Sequence, residues 1–188
     1  MQRMLGAVTL GLLPMLVVMR VLLLKRKGTE ALQFGKKDKR DFLIPPFALF
    51  YFYTVFGAAF GWRLASRQVF FASGAAAWVG VALCLGGLAM LGLTLIEFGR
   101  SFRVGIDAER PDALVTTGIF AVSRNPIYVA FGFVLLGEFL AFPNWILLVY
   151  LGAGVWLLNR QVRLEESFLK QHYGQQYLEY CARVRRYL

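Results

Sequence analysis

The sequence predicts an all-α polytopic membrane protein with about five transmembrane helices, a C-terminal helical hairpin and cytosolic amphipathic tail helices. Three observations predict this fold. The chain is 58% hydrophobic and 17% charged, with mean hydropathy +0.56. A soluble chain is nearer ~45–50% apolar and ~25% charged. Uncharged runs of the length needed to span a bilayer recur along the sequence, and the basic residues sort to one side of them. With 188 residues the chain makes one compact helical unit.

A spanning helix needs ~20 mostly apolar residues. Residues 4–24 qualify, with Arg20 near one end. The stretch is long and lacks a small-residue cleavage site before Lys25-Arg26-Lys27, so it reads as a first span and not a signal peptide. Residues 42–62 carry no charge and are rich in aromatics. A third uncharged run covers 68–96, and its Gly80, Gly86, Gly87 and Ala89 permit close helix contact. The fourth begins at Asn125-Pro126 and reaches Phe142, interrupted by Glu138. Pro143-Asn144 then turns the chain, and Trp145 to Asn159 returns as a fifth helix. Glu138, close to that turn, is expected to reach the outer interface. The first 96 residues form an N-terminal three-helix part, and 97–188 carry the polar motifs.

Charge orients the spans. With the N-terminus outside, segments 25–41, 97–126 and the tail from 160 face the cytosol and hold seven, four and six Lys and Arg, seventeen of twenty-one. Arg3, Arg63 and Arg67 are external, and Arg20 sits at the inner end of the first span. The reverse orientation violates the positive-inside rule. Five spans, N-terminus out and C-terminus in, is the consistent topology. The net charge of +10 belongs to this topology and to contact with anionic membrane lipids, not to nucleic acid. Cys84 and Cys181 are far apart and His172 is the lone histidine, so no metal site is expected.

Three cytosolic stretches carry chemistry. The first runs from Asp112 to Phe120 and contains Leu114, Val115, Thr117 and Gly118. In the second, Ser123 to Tyr128, Asn125 and Pro126 look like the N-cap and first turn of a helix. Free N–H groups there can hold a carboxylate, with Arg124 adding a fork of donors; alternatively Arg124 only marks the interface. The third stretch places Gln161 and Glu165 on one helix face, with Arg163 and Glu166 spaced to pair. Paired carboxylates suit an ammonium or ribose hydroxyls. Tyr173, Tyr177 and Tyr180 either stack on a base or belong to an amphipathic interfacial helix.

The run Leu-Val-Thr-Thr-Gly-Ile-Phe (114–120), Arg-Asn-Pro-Ile-Tyr (124–128), the hairpin, Glu165-Glu166 and Tyr-Gly-Gln-Gln-Tyr-Leu-Glu-Tyr (173–180) resembles the isoprenylcysteine carboxyl methyltransferase family. The resemblance covers about half the chain, from ~97 to 188. It implies S-adenosylmethionine as methyl donor at the cytosolic ends of the last helices, and a lipophilic acceptor entering from the bilayer. By position, Leu114, Val115, Phe120, Asn125, Pro126 and Tyr128 are implied to contact the cofactor. Asp112, Thr117, Gly118, Arg124, Glu166 and Tyr180 complete that expected set. Glu165 and Arg124 are the expected catalytic residues, with Gln161 and Glu165 toward the acceptor. The sequence departs from the family at Asn125, where His is usual, and at Gln161, where the eukaryotic enzymes carry Arg. Other readings are a phospholipid or small-amphiphile methyltransferase, a nicotinamide-dependent reductase and a non-catalytic scaffold.

Overall fold

The computed structural model describes residues 2–26, 44–62, 69–97 and 114–188. Most of the basic segment 25–41, Arg63, Arg67 and the loop 98–113 with Asp112 lie outside the described residues. Within them every regular element is helical: α1 (Gln2–Arg26), α2 (Ile44–Ala59), α3 (Gly74–Glu97), a 3-10 turn (Gly118–Ala121), α4 (Pro126–Ala141), α5 (Trp145–Tyr173) and α6 (Gln175–Arg183). Two of them, α3 and α5, are long and apolar enough to cross a membrane; Met4–Leu16, Leu49–Ala59 and α4 are shorter apolar helices.

Local chemistry sets the helix ends. The third helix starts at Gly74 rather than near 68, because Ser73 caps it by accepting from the Ala76 N–H at 3.3 Å. Residues 69–73 are instead outside any helix, with Val69 bridged to Asn144. The Phe70 N–H donates to the Pro143 carbonyl at 2.8 Å, and its ring meets Trp145 edge-on at 4.2 Å. This lead-in therefore braces the tip of the α4–α5 hairpin. Asn144 caps α5, accepting from the Leu147 N–H at 2.9 Å.

The fifth helix does not stop at Asn159. No breaker follows until Gly174, whose φ of +51° ends the helix, so α5 runs for 29 residues. At ~1.5 Å per residue that is about 43 Å, longer than a hydrocarbon core of ~30 Å. Its apolar part ends near Asn159, and a charged extension projects beyond it carrying Gln161, Glu165 and Glu166.

Helices α3 and α4 pack antiparallel along a seam of small residues. A Cβ on Gly80 would lie 2.8 Å from the Ala141 nitrogen, one on Gly87 2.8 Å from the Ala130 carbonyl, and one on Gly137 2.6 Å from Cys84 Sγ. Seven residues separate Gly80 from Gly87, so both face α4, whereas Gly86 has open space beside it and Ala89 is exposed. Close backbone approach substitutes for bulk hydrophobic packing here. Around the seam, α1 contacts α3 and α4, and α2 contacts α1 and α5. Leu10, Tyr51, Val55, Val134, Phe142, Leu147 and Tyr150 form the core between them.

Glu138 does not reach an outer interface. It points into the bundle and is fully buried. Cys84 Sγ lies 3.8 Å from its Oε1, Gly6 of α1 faces its Oε2, and Oε2 has no hydrogen-bond partner among the described residues. Its position four residues before Phe142 is near the turn in sequence, but its side of α4 is covered by α1 and α3.

Candidate functional site

The first turn of α4 differs from a simple capped helix. Pro126 occupies N1, where its missing N–H costs nothing. Asn125 is the N-cap residue, yet its side chain makes no capping bond. It donates from Nδ2 to Glu166 Oε1 at 3.0 Å and to the Arg186 carbonyl at 3.1 Å. Both partners are acceptors, so the amide nitrogen must face them. Ser123 holds the Asn125 backbone from below, accepting its N–H at 3.2 Å.

Glu166 is the hub of this cluster. Arg124 Nη2 approaches its Oε1 at 3.3 Å, while Arg186 reaches Oε2 through Nε at 2.8 Å and Nη2 at 2.7 Å. The carboxylate is only 10% exposed, and burial at this depth is tolerated because both oxygens are bonded. Hydrogen bonding to Glu166 raises the pKa of Arg186 further. Arg124 is 11% exposed, and its Nε is buried without a partner among the described residues. The spacing of Arg163 to Glu166 suggested a pair within α5. Instead Arg163 is exposed and Glu166 turns toward α4 and the tail, where two guanidinium groups converge.

Glu165, one residue earlier, serves other partners. Its Oε1 accepts from the Tyr128 hydroxyl in a short contact and from Gln161 Nε2 at 3.1 Å. Gln161 and Glu165 do share a helix face, as their spacing requires. Glu165 lies beyond the apolar part of α5. Burial pushes its carboxyl above the usual range, and the bonds from Tyr128 and Gln161 pull it back in part.

The tail locks the stretch before α4. The Tyr180 hydroxyl donates to the Phe120 carbonyl at 2.6 Å, and both side chains are buried. Burial pushes the Tyr180 phenol up to about 12, with Arg124 opposing the rise. Tyr177 packs edge-on against Tyr180 at 6.1 Å, and burial raises its phenol too. Tyr173 lies before the Gly174 bend, so the three tyrosines do not share one helix. After α6 the chain doubles back: the Arg124 N–H donates to the Arg185 carbonyl at 3.0 Å, and the Tyr187 hydroxyl to Asn159 Oδ1 at 2.8 Å.

Of the residues expected at a site, Arg124, Asn125, Tyr128, Gln161, Glu165 and Glu166 lie in these two adjoining clusters. Pro126 is buried at the base of α4, and Leu114 and Val115 are half-buried beyond it. Thr117 is exposed. Gly118 adopts φ +60°, and a Cβ there would collide with the Glu97 carboxyl, so glycine is required twice over. Asp112 lies outside the described residues. Sequence reasoning missed Arg186 and Glu97. Arg186 counted only as topological charge, although an Arg-Arg pair just past the end of a short helix was the available signal. Glu97 was detectable as the acid that ends an uncharged helix beside the first motif.

Protein-S-isoprenylcysteine O-methyltransferases B and A of Arabidopsis thaliana are each 34% identical over 93 residues, covering 48% of this chain and 47% of theirs. The protein-S-isoprenylcysteine O-methyltransferase of Schizosaccharomyces pombe is 29% identical over 105 residues, 54% of this chain and 44% of that one. The chain spans about half the length of the curated relatives it matches. The family model described as phospholipid methyltransferase matches residues 75–176, from the small-residue seam of α3 through both glutamates to the start of α6. Since that match takes in more than half of the sequence, including the helices that carry both clusters, the chain belongs to the phospholipid methyltransferase family.

Proposed function

We propose that this chain is an integral membrane methyltransferase. It uses S-adenosylmethionine to methylate the carboxylate of an isoprenylcysteine-type acceptor that arrives from the bilayer. The observation that carries the reading is the junction of α4, α5 and the tail, where an incompletely paired Arg124 meets Glu166, next in sequence to a Glu165 held by Tyr128 and Gln161. Family membership and the names of the relatives support the same chemistry. Five spans, with the N-terminus outside and the tail in the cytosol, are supported by the seventeen basic residues on one side. This topology puts both clusters where a soluble cofactor is available.

The residues present fit the donor. Arg124 Nε is a buried N–H with no acceptor among the described residues, a costly state that a ligand carboxylate relieves. Asn125 has both amide hydrogens engaged, which leaves its Oδ1 to accept. Leu114, Val115, Phe120, Pro126 and Tyr128 supply the less polar boundary, with Thr117, Gly118 and Asp112 in the adjoining loop. Glu166 and Tyr180 hold these parts together. Bound there, S-adenosylmethionine supplies a methyl group on a positively charged sulfur, an electrophile with a good leaving group.

With such a donor the protein's task is to align the acceptor and exclude water. A carboxylate oxygen already has the electron pair that forms the new C–O bond as the C–S bond breaks, so no base is required. Gln161 and Glu165 face the acceptor side, and Glu165 is fixed through Oε1 by Tyr128 and Gln161. An amine acceptor, as in a phospholipid headgroup, must lose a proton. A carboxylate whose pKa is raised by burial is the stronger base, so Glu165 supports that second reading. A reductase or a scaffold has no comparable support.

Purified full-length protein in lipid nanodiscs, supplied with methyl-labelled S-adenosylmethionine, decides between the readings. Label appearing in a base-labile ester of a farnesylcysteine analogue supports carboxyl methylation. Label in phosphatidylethanolamine instead selects the amine. Label in neither, with no binding of S-adenosylhomocysteine, sinks the methyltransferase reading.

A further inference from the structure

We infer that Arg186 is a positioning residue that keeps Arg124 available for the carboxylate end of the donor, by occupying Glu166 in its place. This deepens the proposed function and rests on it. The clusters differ in a telling way. Arg186 places two nitrogens on Glu166 Oε2, at 2.8 and 2.7 Å. Arg124 reaches only Oε1, at 3.3 Å, and shares that oxygen with Asn125 Nδ2 at 3.0 Å. The glutamate is therefore saturated chiefly by Arg186. Arg124 keeps a buried Nε with nothing to bond among the described residues.

Two cations facing one anion leave the cluster with one positive charge, at low exposure and next to the start of α4, whose dipole adds to it. Remove the Arg186 guanidinium and Glu166 Oε2 is left bare. The nearest cation among the described residues is Arg124, already on Oε1, and with Oε2 open it takes the carboxylate in a two-bonded fork. The charge that would receive an anionic ligand is then cancelled within the protein. Arg186 itself is 41% exposed, on the chain that folds back after α6, so its replacement opens no core cavity. Its backbone carbonyl still accepts from Asn125 after substitution.

The test uses two ligands that differ in one end. S-adenosylhomocysteine carries the amino-acid carboxylate, whereas 5′-methylthioadenosine has the adenosine and sulfur without it. Binding of each to full-length protein in nanodiscs is measured by calorimetry, with no acceptor present. Arg186→Gln is expected to weaken S-adenosylhomocysteine about 10- to 100-fold, as loss of a charged hydrogen bond implies. Methylthioadenosine should change less than about twofold, and Arg186→Lys, which keeps the charge but not the two-nitrogen contact, should restore only part of the lost affinity. The double variant Glu166→Gln/Arg186→Gln removes the competing anion, returns the net charge to Arg124 and should recover S-adenosylhomocysteine binding. It also serves if the single variant does not fold. Equal weakening of both ligands, or a double variant no better than the single one, means Arg186 is a structural clamp and overturns the inference. If wild-type protein binds neither ligand, the methyltransferase reading itself fails, and this inference falls with it.

Discussion

Asn125 donates to Glu166 at 3.0 Å across 41 positions of sequence, joining the first turn of α4 to the charged extension of α5. A neutral amide suits this place because the glutamate already has two arginines and needs a donor without further charge. Asn125→Asp puts a carboxylate against Glu166 and leaves the Arg186 carbonyl without its donor. The expected cost is about 1–3 kcal/mol of stability, with weaker S-adenosylhomocysteine binding. Thermal unfolding in detergent, with and without that ligand, measures both. An unchanged melting temperature would show that the contact adds nothing.

Glu165 gives a pH signature. Burial raises its folded-state pKa above the ordinary carboxylate value of ~4.3. The neutral form is thus favoured in the folded protein, so its contribution to stability is largest at low pH and is lost as pH rises through the raised pKa. If the acceptor is an amine, activity that needs the Glu165 carboxylate runs the other way, rising with pH through an inflection above ~4.3; a carboxylate acceptor needs no base and gives no such rise. Glu165→Gln keeps an acceptor for Tyr128, so it should remove the inflection and lower turnover while leaving cofactor affinity within about threefold. The rate profile of wild type and variant from pH 4 to pH 8 decides; full turnover in the variant eliminates both roles for Glu165.

Tyr180 offers a separation of loop order from chemistry. Its hydroxyl satisfies the buried Phe120 carbonyl at 2.6 Å. Tyr180→Phe keeps the ring but removes this one hydrogen bond, at a cost of about 0.5–1.5 kcal/mol. Amide exchange over residues 114–122 should accelerate while exchange in α3 stays constant. Uniform acceleration throughout the protein would contradict a local lock.

Much of this arrangement is legible in the sequence where a local rule governs it. Gln161 and Glu165 meet because four residues separate them on one helix, and Pro126 starts α4 because proline is tolerated there. The Gly80 and Gly87 contacts follow from a spacing of seven. The rest depends on what tertiary packing brings near. Arg163 was the nearest cation to Glu166 along the chain, yet Arg186 and Arg124 are nearest in space, because Gly174 turns the tail back toward α4. Asn125 looked like a cap because of its neighbour Pro126; its side chain serves Glu166 instead, which no short-range pattern encodes. Residues 69–73 read as helix by composition but pair with the hairpin tip through the Pro143 carbonyl.

Glu138 shows the same limit and gives the sharpest stability test. Near the end of an apolar helix, an acid reads as one that reaches water. Here α1 and α3 close over it, and Oε2 has no partner among the described residues. A buried polar group left unsatisfied costs about 1–3 kcal/mol, and an apolar replacement of similar shape removes that cost. Methionine matches the volume and flexibility of glutamate. Glu138→Met should therefore raise the melting temperature in detergent and leave S-adenosylhomocysteine binding unchanged, because Glu138 sits about 18 Å along α4 from the Asn125 end at ~1.5 Å per residue. Glu138→Ala should lower the melting temperature by opening a cavity between α1, α3 and α4. A fall in stability with methionine as well would mean that the carboxyl has a partner in the membrane-embedded protein and is retained for it.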